Sequence, residues 1–251
     1  MPVSSADVSL FILPCGSCDL HESVVFPDRP KNSSRRIQGP TWAYLLRSSD
    51  ATVLVDTGMP PECADGGRIF PGDRLLPIMT AADVVTARLA EINVQPADID
   101  FVVNTHLHFD HAGANRLFPD HTFVLQAAEH AAVARGQAGP WCAFGRGVRL
   151  LDGDAEIIPG VRAIFTPGHS PGHMSLLVST RRDGPILLTV DASYTTETFD
   201  PAHMGAMADP AAGAASILRL RQIIADTGAQ VFFGHDPDQA RLWRHSPDSY
   251  R

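Results

Sequence analysis

Between Thr105 and His111 the chain reads THLHFDH, which places His106, His108, Asp110 and His111 within seven residues. Imidazole and carboxylate groups this dense, in an otherwise apolar neighbourhood, suit a divalent transition metal. Three further residues of the same chemistry stand elsewhere: His169 in TPGHSPGH, Asp191 in LLTVDASYT and His235 in FFGHD. The set is five histidines and two aspartates. One zinc ion takes about four ligands, so seven are too many for a single ion. They fit two ions if one aspartate bridges and a water or hydroxide bridges as well. Zinc, iron, cobalt and manganese all accept such donors. No cysteine belongs to the set.

A lone histidine is more often a surface or satisfied core group, and His121, His130, His203 and His245 receive no role. His173, four residues after His169, is expected to support the ligands by hydrogen bonding rather than to coordinate.

The candidates need rigid carriers. Val8 to Leu13, Trp42 to Leu46, Thr52 to Val55, Ile99 to Val103 and Thr122 to Leu125 read as strands. So do Ala155 to Ile158, Val161 to Phe165, Met174 to Val178, Ile186 to Val190 and Val231 to Phe233. Thr80 with Asp83 approximates a capping box, and the apolar spacing that follows predicts a helix to about Asn93. Further helices are expected from Ala127 to Arg135, closed by Gly136, and from Ala211 to Asp226. Asp56-Thr57-Gly58 reads as a sharp exit from a strand, and Pro60 to Pro77 as a surface excursion rich in Gly and Pro. On this map every member of the set lies just past the C-terminal end of an apolar strand, where a rigid scaffold presents functional groups. The pattern implies an α/β protein of two packed sheets with helices outside, and one domain over residues 1–251.

Bulk properties narrow the class. A chain of 251 residues with 44% hydrophobic and 19% charged residues reads as globular and enzyme-like. The net charge of -8 and the lack of a basic stripe set nucleic acid aside as a partner. No apolar run approaches the roughly 18 residues of a membrane span, and the N-terminus lacks a basic start, so a cytoplasmic protein without a membrane partner is expected. Four cysteines are too few for a disulfide scaffold. Cys15 and Cys18 form one C-x-x-C, followed by His21, without a fourth ligand or a redox context. They are expected to be ordinary thiols lining a loop, and Cys63 and Cys142 to be structural.

THLHFDH resembles the H-x-H-x-D-H signature of the metallo-β-lactamase superfamily. Together with TPGHSPGH, LLTVDASYT and FFGHD it is similar to the N-acyl homoserine lactone lactonases, the quorum-quenching enzymes, over almost the whole chain. The resemblance implies an αββα sandwich and two divalent metal ions, with zinc foremost. His106, His108 and His169 would hold the first ion, Asp110, His111 and His235 the second, and Asp191 would bridge them. It also implies hydrolysis of a small-molecule lactone by a hydroxide shared between the ions. Tyr194 would donate a hydrogen bond to the developing oxyanion, and Asp110 could carry a proton to the leaving oxygen. Phe109 and Phe70 are expected at the acyl-chain pocket. The HMGAM segment, His203 to Met207, and the PCGSC segment near the N-terminus depart from the family and are expected to line the substrate tunnel.

Rival readings share parts of this site. A pyridoxolactonase would keep the ligands and change only the pocket. A glyoxalase II-like thioesterase normally adds a C-terminal helical region, whereas only 16 residues follow His235 here. The ligand pattern fits hydroxyacyl hydrolases better than a true β-lactamase. A flavodiiron oxidoreductase carries Glu where this chain has His108. An iron persulfide dioxygenase would use a single iron. A non-catalytic binding module would be expected to have lost ligands.

Overall fold

Alternate residues along a strand face opposite ways, and here both directions meet apolar partners. The computed structural model describes residues 7–136, 139 and 141–251. Its first sheet contains β1 (Ser9–His21), β2 (Arg36–Arg47), β3 (Thr52–Val55), β4 (Leu75–Ile78), β5 (Phe101–Val103), β6 (Thr122–Gln126) and β7 (Gly147–Leu151), in the order β4-β1-β2-β3-β5-β6-β7. The second contains β8 (Ala155–Ile158), β9 (Val161–Phe165), β10 (Met174–Thr180), β11 (Gly184–Val190) and β12 (Gln230–Phe233), in the order β12-β11-β10-β9-β8. Both are mixed: β3-β5-β6-β7 run parallel in one, and β11-β12 in the other.

Leu10, Ile12, Tyr44, Leu46, Val53 and Val55 point inward and pack against Val161, Met174, Leu176, Ile186 and Leu188 of the facing sheet. Their neighbours Phe11, Leu13, Leu45 and Leu54 point outward onto Val85 and Leu89. Covering both faces explains why the strands read as nearly continuous apolar runs.

Among the helices, α1 (Glu22–Val25) follows β1 and α2 (Val85–Glu91) covers the first sheet. The short α3 (Phe109–Ala112) carries Asp110 and His111, and α4 (Ala127–Ala134) follows β6. The long α5 (Pro210–Thr227) lays Leu220 against Ile164, Leu177 and Leu187 of the second sheet. It starts at the Asp209 cap with Pro210 in its first turn and ends at Gly228, whose φ of 67° closes the helix. The last helix, α6 (Pro237–Ala240), follows the His235 turn. The layers are helix, sheet, sheet, helix, the expected αββα sandwich. Among the described residues no helix is long and apolar enough to cross a membrane.

Three local expectations change. The PCGSC segment is not a loop: β1 runs on through a register shift between Pro14 and Ser17 and then pairs with both β2 and β4. Gly16, at φ 89°, makes that passage possible, since a Cβ there would lie 2.7 Å from Met79 Cβ. The Thr80–Asp83 capping box forms, but it closes a 3-10 turn. Val84 then stays extended and α2 begins only at Val85. The Pro60–Pro77 excursion includes β4 and returns over the site. Strands β4 and β7, the two edges of the first sheet, are additional.

Candidate metal centre

Strand ends do the positioning. Asp56 leaves β3, the Asn104–Ala112 segment leaves β5, His169 follows β9, Asp191 follows β11 and His235 follows β12. These ends converge at one rim of the sandwich, and all seven predicted ligands meet there.

They form two sets. His106, His108, His169 and Asp191 bring one donor atom each within 4.8 Å of one another, and so do Asp110, His111 and His235. His108 Nδ1 is 3.1 Å from His106 Nε2 and 2.7 Å from His169 Nε2. Asp191 joins the sets through different oxygens. Its Oδ2 is 3.2 Å from His169 Nε2 and 3.7 Å from His106 Nε2. Its Oδ1 is 3.1 Å from His111 Nε2 and 3.2 Å from His235 Nε2. Asp110 Oδ2 stands 3.7 Å from His111 Nε2 and 3.6 Å from His235 Nε2.

The donor set fits metal ions. Ligands held tetrahedrally at zinc–nitrogen distances lie roughly 3.3 Å apart, close to these separations. His111 Nε2 and Asp191 Oδ1 are buried and lack a hydrogen bond of good geometry despite their proximity. Buried polar atoms are rarely left so, and a bound ion would satisfy both. Burial, helped by neighbouring imidazoles, holds His106 and His169 well below the usual histidine range. They are therefore neutral, as ligation requires. At His111 burial acts in the same direction, but Asp191, Asp110 and Asp56 outweigh it and hold the imidazole well above that range. The second set is thus a place where positive charge is stabilised.

The far sides of the rings are tethered. His111 Nδ1 is 2.9 Å from Asp56 Oδ2, and the same carboxylate accepts from Thr105 N and Thr105 Oγ1. His235 Nδ1 donates to Pro40 O at 2.7 Å and His169 Nδ1 to Ala206 O at 3.0 Å. These bonds fix the tautomer that presents Nε2 to the centre. His173 lies outside both sets: its Nε2 accepts from the Asp191 backbone N–H at 3.1 Å. Burial lowers it to about 3, so it remains a neutral acceptor. Asp56 was not singled out in the sequence, although it too sits just past a strand end and that rule would have found it.

A cavity of about 560 Å³ opens onto the centre. His108, Asp110, His169, Asp191 and His235 form its polar floor, and Tyr194 stands beside them. The Tyr194 hydroxyl lies 3.3 Å from His169 Nδ1. Burial, reinforced by Asp191 and Asp110, holds it well above the usual phenol range, so it stays protonated. Phe70 and Phe109 line the wall with ring centres 4.9 Å apart. Cys18, Ala206 and Met207 line it as well, so both segments that depart from the family pattern reach the cavity. Leu20, Val24, Arg74 and Leu75 were not anticipated there; only the β1–β4 pairing brings them in.

Residues 36–235 match the family model of the metallo-beta-lactamase superfamily. The N-acyl homoserine lactonase AiiA of Bacillus thuringiensis subsp. kurstaki is 36% identical over 245 residues, 95% of this chain and 97% of that one. The N-acyl homoserine lactonase AttM of Azorhizobium caulinodans is 30% identical over 267 residues, 97% of this chain and 99% of the relative. A solved N-acyl homoserine lactone hydrolase, with N-hexanoyl-L-homoserine bound at its catalytic metal centre, superposes with a TM-score of 0.90 at 34% identity, covering 98% of this chain and 99% of the other. Sequence, fold and the paired His/Asp sets agree, and the chain belongs to the N-acyl homoserine lactonase family of the metallo-β-lactamase superfamily.

Proposed function

We propose that this chain, acting as one hydrolase domain over residues 1–251, opens the lactone ring of N-acyl homoserine lactones at a dinuclear centre. The observation that carries the reading is Asp191, whose two oxygens face two separate donor sets under an apolar cavity. His106, His108 and His169 would hold one ion, Asp110, His111 and His235 the other, and Asp191 both. Zinc is the proposed metal; the imidazole and carboxylate donors fit it, as they fit iron, cobalt or manganese. When bound, the pair supplies hydroxide at neutral pH and a Lewis acid for the carbonyl oxygen.

The chain's own residues do the rest. Tyr194 donates its phenolic hydrogen to the oxygen that gains charge as the carbonyl carbon becomes tetrahedral. Asp110 lines the cavity as well as facing the imidazoles, so it is placed to carry a proton to the alkoxide that leaves when the ring opens. Phe70 and Phe109 offer the acyl chain an apolar wall and keep water from it. A cytoplasmic setting is part of the proposal; four free cysteines suit a reducing compartment.

Replacing Asp191 by Ala tests the scheme. The variant is expected to lose metal from both sets and nearly all lactonase activity. Full activity, or two ions retained, would contradict it.

A further inference from the structure

Glu129 lies on α4, outside the ligand set, and is buried without a cationic partner among the described residues. Its carboxylate is satisfied instead by three donors. Oε1 accepts from the Leu107 backbone N–H at 3.0 Å. Oε2 accepts from Ser170 Oγ at 2.7 Å and from the Gly172 backbone N–H at 2.8 Å. Leu107 stands between His106 and His108, and Ser170 directly follows His169. The other side of Leu107 is held too, since Trp141 Nε1 donates to its carbonyl at 3.1 Å. Gly172 lets the helix come this close: a Cβ there would lie 2.2 Å from Glu129 N. None of the three bonds reaches Asp110, His111 or His235.

We infer that Glu129 is a positioning residue for one half of the centre, a single carboxylate that locks the His106–His108 loop to the His169 loop and so sets the affinity of the first ion. His111 of the second half is tethered by a different carboxylate, Asp56, which also holds Thr105. The inference rests on the ligand assignment proposed above, although its test needs no substrate. A buried carboxylate that holds three loop donors on its two oxygens is costly to replace, because losing an acceptor oxygen leaves a buried N–H unpaired.

Glu129→Gln is the main test. It preserves the volume and one acceptor, but turns an N–H donor toward the Gly172 N–H. Metal stoichiometry against a graded chelator series should show two ions in the parent enzyme. In the variant, one ion should be bound roughly 10- to 100-fold more weakly, with the other unchanged. Amide exchange at Leu107 and Gly172 in the metal-free variant should accelerate, while exchange at Thr105, tied to Asp56, should not. Gly172→Ala, which presses on the same contact from the opposite side, should reproduce the split. A folded Glu129→Gln protein that holds both ions at parental affinity would overturn the inference. So would parallel loss of both ions with thermal stability, which would mark a general folding role. Failure to open lactones would leave a one-ion split intact, so the two readings fail separately.

Discussion

Replacing Tyr194 by Phe removes one hydroxyl and nothing else. The ring is packed edge-on between His169 and His235, at centroid distances of 5.6 and 5.2 Å, and Gly205 lies so close that a Cβ there would be 2.6 Å from the ring. Phe fills that slot equally well, so fold and metal content should be unchanged. The hydroxyl itself has no demanding structural partner. Its neighbour His169 Nδ1 already donates to Ala206 O when Nε2 faces the centre. The phenolic hydrogen is therefore free to serve the substrate. A hydrogen bond to a charged group contributes about 1.5–3 kcal/mol, which corresponds to roughly a 10- to 150-fold fall in kcat/KM. The loss should appear mainly in kcat, because the charge it meets exists only in the transition state. The assay is steady-state lactone hydrolysis on metal-analysed protein. An unchanged rate with both ions present would show that the hydroxyl donates nothing. Loss of an ion would make Tyr194 structural.

Phe70→Ala should weaken long-chain acyl lactones selectively, since it strips the edge contacts to Phe109 and Trp141. About 1–2 kcal/mol of lost burial predicts a KM increase of roughly 5- to 30-fold for a decanoyl substrate and little for a butanoyl one; equal effects on both would remove Phe70 from the acyl wall. His173 gives a pH prediction. Burial lowers it to about 3 in the folded chain, against about 6.5 when unfolded. Between these values the unfolded state binds the extra proton, so stability is full above about pH 6.5 and falls as the pH drops toward 3, by up to about 1.4 kcal/mol per pH unit for this group. Urea unfolding of metal-free protein at pH 7 and pH 5 measures the slope, and His173→Gln should reduce it by about one proton; an unchanged slope would contradict the assignment.

The centre was legible because its carriers are. An apolar run followed within a few residues by His or Asp is a local signal, and β5, β9, β11 and β12 each show it. What escaped the reading lacks a local signature. Edge strands β4 and β7 bury little: Pro77 is tolerated on an edge, and Arg149 and Leu150 of β7 are exposed. The extension of β1 to His21 was hidden by Pro14 and Gly16, which look like a break and are a bulge. Thr80 and Asp83 make the expected cap bonds, yet the same carboxylate also takes the Arg88 guanidinium and the backbone straightens at Val84. Glu129 is a single acid on a helix in an unremarkable context, and only the tertiary structure shows that it is filled by donors from the Leu107 and Ser170–Gly172 segments. The apolar wall of the cavity draws on β1, β4 and the Ala206–Ala208 segment, so its shape depends on pairings that no short motif records.

Proton release by metal-analysed protein, given a short-chain and a long-chain N-acyl homoserine lactone with a pyridoxolactone and a glutathione thioester alongside, tests the proposed dinuclear lactonase most directly. Two ions per chain and rapid acid release from the acyl lactones, abolished by chelation and restored by zinc, are the expected result. A single ion per chain, or acid release only from the thioester or the pyridoxolactone, would contradict it.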